Sequence, residues 1–569
     1  MIDNTNYNLA SIKKKKKEKI GLFLGPILFV ITILIPTPQS MADAAESNST
    51  FNLAPQIAIG SVLWILTWWI SECVALGLAA LLAPFIFVIS GILSIDQSLS
   101  TFSDPIIWIF ASGFILAAAF HKYDLDKRVA YSLAMLYKGN NPKIAIFFVA
   151  CIPVFLLTIA GSITASTAIV FPFVVAFMGI LGIHVGNENH NFKNNDNGGD
   201  NTKKNAGDTT TTKNISNDSK ENKYAEASFL VLGQAATSGA MLLLISTPPN
   251  LIAKSTVETF VPSESITFAD WFVIGTPHAI MGLLISWVVV FLLINPNIRR
   301  LPTTHKQFKS SLHSIGKMKR EEKIVLAVLV LALFLWIIPS MFSSIDSHYD
   351  DNSKGSNNND SIASKNSKYG VFSGFIEFLK NNVTEAVPPL IIILSMGLIP
   401  TRGRNKNNVP LLSLGEMTKA IDWNVIILFG GGLTLGLGIE SSGLADWISF
   451  IISSSLGGES TPWSVFALSA IMGFSISYVA SNTASAVITC PLAATLAIGV
   501  GLNPIPPIIA AGLASSISSG LPSTTPPMAM VYSSKVVRIS NMFKTGIVSD
   551  LIRLSLLIVI GPILIDVVF

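Results

Sequence analysis

The stretch Tyr478–Leu492, YVASNTASAVITCPL, sets three adjacent polar residues, Ser481-Asn482-Thr483, inside a long apolar region. A second stretch, Ile159–Phe173, IAGSITASTAIVFPF, has the same design: Ser, one residue, Thr, Ala, Ser/Thr, then apolar residues and a proline. Ser162 and Ser481 are 319 residues apart, as are Thr164 and Thr483, and Pro172 and Pro491. A lone Ser-x-Thr in a membrane helix ordinarily serves close helix packing. Two of them at one offset raise the question of a repeat.

Other features fall into the same order. SGFILAAAFHKYDL matches GGLTLGLGIESSGL at the same offset of 319, Gly113 to Gly432 and Leu125 to Leu444. ISECVAL matches VTEAVPP, with Glu72 and Glu385 in register. STPPNLI matches TTPPMAM, but Pro248 and Pro526 are 278 apart, 41 short of 319. That shortfall is about the length of the polar loop after residue 185, which reads as an insertion in the first half only. Chance is a poor explanation for four paired features in one order.

Composition says where such a repeat lies. Of 569 residues, 50% are hydrophobic and 13% charged, with a mean hydropathy of +0.57. A soluble domain carries about 25% charged residues, so this composition belongs in a bilayer. Cys73, Cys151 and Cys490 fall in or beside apolar runs and suggest neither a disulfide framework nor a metal cluster. The seven His have no zinc-ligand spacing. With no Ser-His-Asp arrangement and no paired carboxylates in the motif region, the chain does not read as an enzyme. Nothing points to nucleic acid or to a cofactor.

The apolar runs place span 1 near 20–37, spans 2 and 3 near 57–71 and 74–94, and span 4 near 105–136. Spans 5 and 6 lie near 226–253 and 270–294. The second half holds span 7 near 323–343, span 8 near 376–400, span 9 near 423–452, and spans 10 and 11 near 505–533 and 547–568. The runs 143–183 and 461–500 carry the polar triplets and are long enough to enter and leave as two half-helices. With each as a re-entrant hairpin and the N-terminus inside, the connectors HKYDLDKR, KGNNPK, the 294–323 linker, TRGRNKN and KVVRISNMFK all fall inside, and all are basic. SMADAAESNSTFNLAPQ, SIDQSLSTFSD, SSLGGESTP and GLNPIPP fall outside and contain no Lys or Arg. This charge asymmetry favours eleven spans and two opposed hairpins, N-terminus cytoplasmic and C-terminus outside. The segment after KKKKKEK reads either as an uncleaved first span or as a secretory signal peptide cut near SMADAAES.

The expected fold is therefore an all-α polytopic membrane protein, an inverted-topology repeat of five spans plus a re-entrant hairpin. Residues 1–56 form the cytoplasmic N-terminus and first span. Residues 57–294 form the first repeat, with its tip at 162–164 and a polar insertion at 186–225. A basic linker, 295–322, leads to the second repeat, 323–569, with a polar loop at 344–371 and its tip at 481–483. Both polar loops are too poor in apolar residues to bury a core, and read as disordered spacers. Inverted repeats are a common plan of secondary transporters.

The polar triplets suit such a role. Backbone that leaves helical geometry at membrane depth needs new partners, and Ser, Thr and Asn supply them as caps. The start of a half-helix offers free amide N–H groups and about half a positive charge, an anion site without a basic side chain. Each Pro-Pro frees carbonyls that suit a small hard cation. No Asp, Glu, Lys or Arg occurs between Lys143 and Glu188, between Glu226 and Lys254, or between Glu459 and Lys535. A dianion held there meets only dipoles, so co-bound cations are needed to balance it; a neutral substrate removes the need.

At these residues the chain resembles the divalent anion/sodium symporter family, whose members carry dicarboxylates, citrate or sulfate. The resemblance covers nearly the whole chain outside the two polar loops. It rests on the paired tips, the paired Thr-Pro-Pro breaks and WWISECVALG, Trp68–Gly77. It implies a homodimer with a scaffold domain and a transport domain that moves as an elevator. By position it implies an anion site at Ser162, Thr164, Ser481, Asn482 and Thr483, with Thr247, Pro248, Thr525 and Pro526 beside them. It implies one sodium site near Thr158, Ser162 and Ser246, and a second near Ser477, Asn482 and Thr524. Two residues depart from the pattern: Ile163 and Met528 stand where the family has Asn. Ile163 removes a ligand from the first sodium site and from half of the anion site.

The leading expectation is sodium-coupled symport of a small dianion, a C4-dicarboxylate such as succinate or malate, or sulfate. The alternative is a proton-coupled or exchange transporter, or an exporter, of another inorganic oxyanion. A channel needs a continuous water-lined pore, which two opposed closed hairpins do not suggest. His121 and Lys122 read as interface anchors, and Glu72 and Glu385 as structural residues at the bends before spans 3 and 8.

Overall fold

The computed structural model describes residues 2–47, 51–71, 73–139, 141–180, 183, 214–296, 312–313, 315–353, 387–402, 408–456 and 461–569. Glu72, Glu385 and most of both polar loops lie outside these residues. Apart from two three-residue strands, Pro400–Arg402 and Asn408–Pro410, paired antiparallel, the regular structure is helical. Among the described residues, seven helices are long and apolar enough to cross a membrane, or up to eight if a bent N-terminal pair is one span. Shorter apolar helices lie at Leu76–Ile89, Ile163–Val175, Val387–Leu398, Pro462–Tyr478 and Ile505–Ser515. Large apolar side chains such as Ile89, Leu292 and Ile563 point outward, as a bilayer solvent allows. The chain is a multi-pass integral membrane protein.

The apolar runs read from sequence are interrupted, for local reasons. The first helix, Ile2–Leu34, gives way to Gln39–Ser47 at a bend of 92°. Pro36 and Pro38 lie at the bend, and neither can donate a backbone hydrogen bond. Buried Gln56, on the helix Ala54–Ser71, replaces what is lost by donating to the carbonyls of Ile35 at 2.7 Å and Thr32 at 3.3 Å.

The run expected as one span over 105–136 is two helices, Pro105–Lys122 and Leu125–Ala134, divided at Asp124 with φ +57°. The run expected over 423–452 is likewise divided into Trp423–Ser441 and Leu444–Leu456, at Gly443 with φ +77°. Asp124 and Gly443 are themselves 319 residues apart. Left-handed backbone at both positions turns each chain out of its helix. The polar segment 186–225 is also not wholly loop, since the helix Asn214–Gly239 starts inside it. Each residue added to an existing helix gains a hydrogen bond without a new nucleus, so a buried helix can extend into a polar flank.

Polar ties hold the ends of these helices. Lys122 donates to Glu416 at 2.7 Å and to the Leu411 carbonyl at 2.9 Å, tying the end of Pro105–Lys122 to a later segment of the chain. Arg128 donates to buried Glu322 at 2.6 Å, joining the helix Leu125–Ala134 to the start of Arg320–Ser353. Buried Trp271 donates from the helix Phe268–Ile294 to the Met241 carbonyl at 3.1 Å, supporting backbone that has left helical geometry.

The two triplet-bearing runs each fold as helix, tip, helix. In the first, Pro142–Ile146, a π-turn at Phe147–Cys151, Ile152–Leu157 and a 3₁₀ turn at Thr158–Ala160 lead to Ile163–Ile180. In the second, Pro462–Val479 leads through Ala480 and Ser481 to Asn482–Gly499. Both Pro-Pro segments restart a helix after a break. Asn214–Gly239 ends, and Pro248–Phe260 begins after residues 240–247; Ile505–Ser515 ends, and Pro526–Ser533 begins after residues 516–525. The packing is crossed between halves. The second arm of the first hairpin lies against Pro526–Ser533, and the second arm of the other hairpin lies against Pro248–Phe260.

Candidate functional site

The second tip is built by capping. After Tyr478 the chain becomes extended at Ala480, φ −112° and ψ −179°, and Ser481 becomes the N-cap of the next helix. Its hydroxyl accepts the Ala484 amide at 3.2 Å. The amides of Asn482 and Thr483, the first two of that helix, have no carbonyl one turn back within it and point toward the tip. Asn482 is buried and Thr483 half-buried.

Four oxygens converge behind this tip. Ser518 Oγ, in the break of residues 516–525, lies 3.0 Å from Asn482 Oδ1 and 3.3 Å from the Ser477 carbonyl. The Ser477 hydroxyl in turn donates to Ser518 Oγ. Ser477 and Ser518 are fully buried. Such a set of neutral hard oxygens is what a small cation can use in place of water. Among the described residues the buried Asn482 Nδ2 has no partner, and it remains available as a donor. The expected residues beside it behave differently. Thr525 caps Pro526–Ser533 by accepting the Met528 amide at 3.4 Å. The Thr524 hydroxyl donates to the Leu521 carbonyl at 2.8 Å.

The first tip is built from the same parts with fewer polar atoms. Thr158 Oγ1 lies 2.7 Å from the Phe155 carbonyl and 3.0 Å from that of Gly239, joining the tip to the break of its own half. Gly161 has φ +93°, and a Cβ there would come 3.0 Å from Gly113 Cα, so this turn needs a glycine. Ser162 caps the next helix, accepting the Ala165 amide at 3.1 Å. Thr164 is exposed, whereas Ile163 is buried in packing. The side chain that replaces the family's Asn therefore adds apolar contact and no ligand.

The break beside this tip is held from within. Ser246 Oγ accepts the Leu243 amide at 3.2 Å. Asn250 Nδ2 donates to the carbonyl of Ala240 at 2.7 Å, which has no other donor among the described residues, and to that of Leu243 at 2.8 Å, which also accepts the Ser246 amide. Its buried Oδ1 has no partner among the described residues. Thr247 stands at the cap position of Pro248–Phe260 with extended backbone, and its hydroxyl makes no cap bond. The 3₁₀ turns Thr158–Ala160 and Leu244–Ser246 touch. Among the described residues, hydrogen bonds join each tip to the break of its own half rather than one tip to the other.

Four participants were not singled out from sequence. Ser518 is one serine in the run SSISSG, with nothing local to mark it. Asn250 follows the first Pro-Pro, in a segment read only for its proline break. Asp550 and Arg553 lie in span 11, and two charges in an apolar run are a signal in themselves. No group of His, Cys, Asp and Glu among the described residues could hold a transition metal.

Comparison with known proteins bears on this arrangement. A family model described as the sodium:sulfate symporter transmembrane region matches residues 16–568. The sodium-dependent dicarboxylate transporter SdcS of Staphylococcus saprophyticus is 28% identical over 98% of this chain and 92% of its own length. The protein of the same name from Staphylococcus aureus strain NCTC 8325 is 29% identical over 98% of this chain and 94% of its own. Among solved structures, that of Neisseria gonorrhoeae MtrF aligns over 85% of each chain at 12% identity with a TM-score of 0.48, below the level that establishes a shared fold.

Proposed function

The chain belongs to the sodium:sulfate symporter family, and on that premise we propose that it is a secondary active transporter coupling sodium to the movement of a small dianion. The substrate class is a C4-dicarboxylate such as succinate or malate, or sulfate. What carries the reading is the convergence of Ser477, Ser518 and Asn482 oxygens behind a helix start, in a tip with no charged side chain. The free amides favour an anion at the tip. The oxygens behind it favour a cation, whose charge offsets that of the anion. The names of the staphylococcal relatives support both sodium and dicarboxylate.

The sites follow the tips. The anion is taken by Ser162, Thr164, Ser481, Asn482 and Thr483, with Thr247, Pro248, Thr525 and Pro526 lining the approach. One sodium sits at Thr158, Ser162 and Ser246, together with the Gly239 carbonyl. The other sits at Ser477 and Asn482 with Ser518. Thr524 belongs to this second set as well: its hydroxyl donates to the Leu521 carbonyl, as that of Thr158 does to Phe155, and its lone pairs remain free for a cation. The architecture is an inverted repeat, supported by the left-handed residues Asp124 and Gly443 at the repeat offset and by the crossed packing of arms and breaks. Alternating access as an elevator in a homodimer, with the N-terminus cytoplasmic and the C-terminus outside, completes the reading.

The test is uptake of labelled succinate into proteoliposomes with and without an inward sodium gradient, with sulfate, citrate and malate as competitors. Sodium-dependent uptake abolished by Asn482→Ala is the expected result. Uptake that ignores sodium overturns the coupling, and no uptake of any of these anions overturns the substrate class.

The burial of Ile163 favours a second reading, coupling to a single cation or to protons, because the first pocket has no amide ligand. In that case the sodium dependence of uptake is non-cooperative in the wild type and becomes sigmoidal in Ile163→Asn.

A further inference from the structure

The last helix, Ile539–Asp566, carries Asp550 and Arg553 one turn apart, and both are buried. Asp550 is fully used as an acceptor. Its Oδ2 takes the Tyr478 hydroxyl and the Ser519 amide, each at 2.6 Å, and its Oδ1 takes Ser519 Oγ at 2.8 Å and Arg553 Nη1 at 3.4 Å. Arg553 Nη1 also lies 3.1 Å from the Ile517 carbonyl and 3.4 Å from Thr237 Oγ1, and Nη2 lies 3.4 Å from the Thr237 carbonyl. Gln234 extends the network, donating to Thr545 at 3.2 Å and accepting from Ser549 at 3.1 Å. Gly282 makes room for it, since a Cβ there would meet Arg553 Nε at 2.9 Å.

Two charges inside a membrane protein carry a large desolvation cost, and a buried ion pair is often no more stabilising than an apolar one. Helix cohesion alone is therefore a weak reason for this pair. The addresses of its partners give a better one. Tyr478 follows Ser477. Ile517 and Ser519 flank Ser518. Thr237 lies two residues before Gly239, whose carbonyl meets Thr158. Every backbone segment the pair grips is next to a residue of one proposed cation pocket or the other.

We infer that Asp550 and Arg553 are positioning residues: they hold Ser518 and Ser477 in the geometry that faces Asn482, and join that pocket through Thr237 to the break that forms the first. In the break the Ile517 amide closes a last turn onto the Ala514 carbonyl at 3.1 Å, and past it, among the described residues, Ser518 and Ser519 make no backbone–backbone hydrogen bond. The conformation there is instead set by an amide and a hydroxyl fixed on Asp550 and a carbonyl fixed on Arg553. Tyr478 ties the hairpin tip to the same carboxylate. The pair touches neither anion nor cation and acts through Ser518 and Ser477. This inference rests on the sodium-coupled reading proposed above.

The test reads sodium binding without requiring a substrate. The purified protein in detergent is titrated with sodium against a choline background, and the concentration giving half the maximal rise in Tm is compared for wild type, Tyr478→Phe, Arg553→Gln and Arg553→Lys. Tyr478→Phe removes one hydroxyl and keeps the packing, so it decides the matter if Arg553→Gln does not fold. The expected result is a rise of about tenfold in half-saturating sodium for Tyr478→Phe, the usual size for one hydrogen bond to a charged group, with Arg553→Lys less affected than Arg553→Gln. A merely structural role lowers the sodium-free Tm and leaves the half-saturating concentration where it was, and that outcome overturns this inference alone. A wild-type Tm that does not respond to sodium overturns the coupling reading and this inference with it.

Discussion

Replacing Asn250 by Leu tests how the first break is held. The side chains are similar in size, so the change removes two donors and little volume. The Ala240 carbonyl then has no donor among the described residues, in a site with no exposure to water. The Leu243 carbonyl keeps the Ser246 amide at 3.0 Å and loses only its second bond. One buried acceptor left unsatisfied costs about 1–3 kcal/mol, and a hydrogen bond lost from a group that keeps another costs about 0.5–1.5 kcal/mol. The unpartnered Asn250 Oδ1 is removed at the same time and returns part of this, so the net loss is about 2–3 kcal/mol. The assay is thermal unfolding in detergent followed by tryptophan fluorescence, since Trp271 is bonded to Met241 inside the same break. Asn250→Asp, which also lacks the donors and adds a charge facing two carbonyls, should fall further than Asn250→Leu. Wild-type Tm in Asn250→Leu, or a smaller fall in Asn250→Asp, refutes the view that the amide holds the break open.

Ser518→Ala should raise half-saturating sodium about tenfold in the choline titration, because it deletes the hydroxyl shared by Ser477 and Asn482; an unchanged value removes Ser518 from the pocket. Gly161→Ala should lower Tm more than Gly91→Ala. Both glycines have positive φ and so share a strain of roughly 1–2 kcal/mol, but only Gly161 also meets backbone, at Gly113; equal falls would mean that the close approach relaxes freely. For Glu416, the hydrogen bond from Lys122, with the Ser413 amide second, lowers the carboxyl from 4.5 to about 2. A lowered carboxylate contributes stability that is complete above its ordinary value and is lost as pH falls through the folded one. Both partners are well exposed, so the pair contributes roughly 0–1 kcal/mol. The Tm difference between wild type and Lys122→Gln should therefore be small, constant from pH 7 to 5, and shrinking below 4.5; a difference that grows toward acid refutes the sign.

Much of this protein is legible in its sequence because the features involved act locally. A proline ends a helix wherever it sits, and a serine before a helix caps it whatever surrounds it. Hence the tips at Ser162 and Ser481, the breaks before Pro248 and Pro526, and the offset of 319 could be read directly from the residues. The splitting of spans 4 and 9 was less legible. Asp124 and Gly443 turn the chain by adopting positive φ, which an Asp does only where its context holds it.

What the tertiary structure decided is where each side chain points once the backbone has left helical geometry. Helical periodicity no longer assigns faces at a tip or in a break, so packing does. Packing buried Ile163 and left Thr164 exposed, turned Thr524 toward Leu521, and brought Ser518 across 36 residues to Asn482. It also set Arg553 beside Thr237, 316 residues away in sequence. Two charges in an apolar helix show from sequence that partners are needed. The partners themselves are supplied by the break at Ile517 and Ser519, by Thr237 near the end of one helix and by Tyr478 near the end of another, and only the folded chain brings them within hydrogen-bond reach.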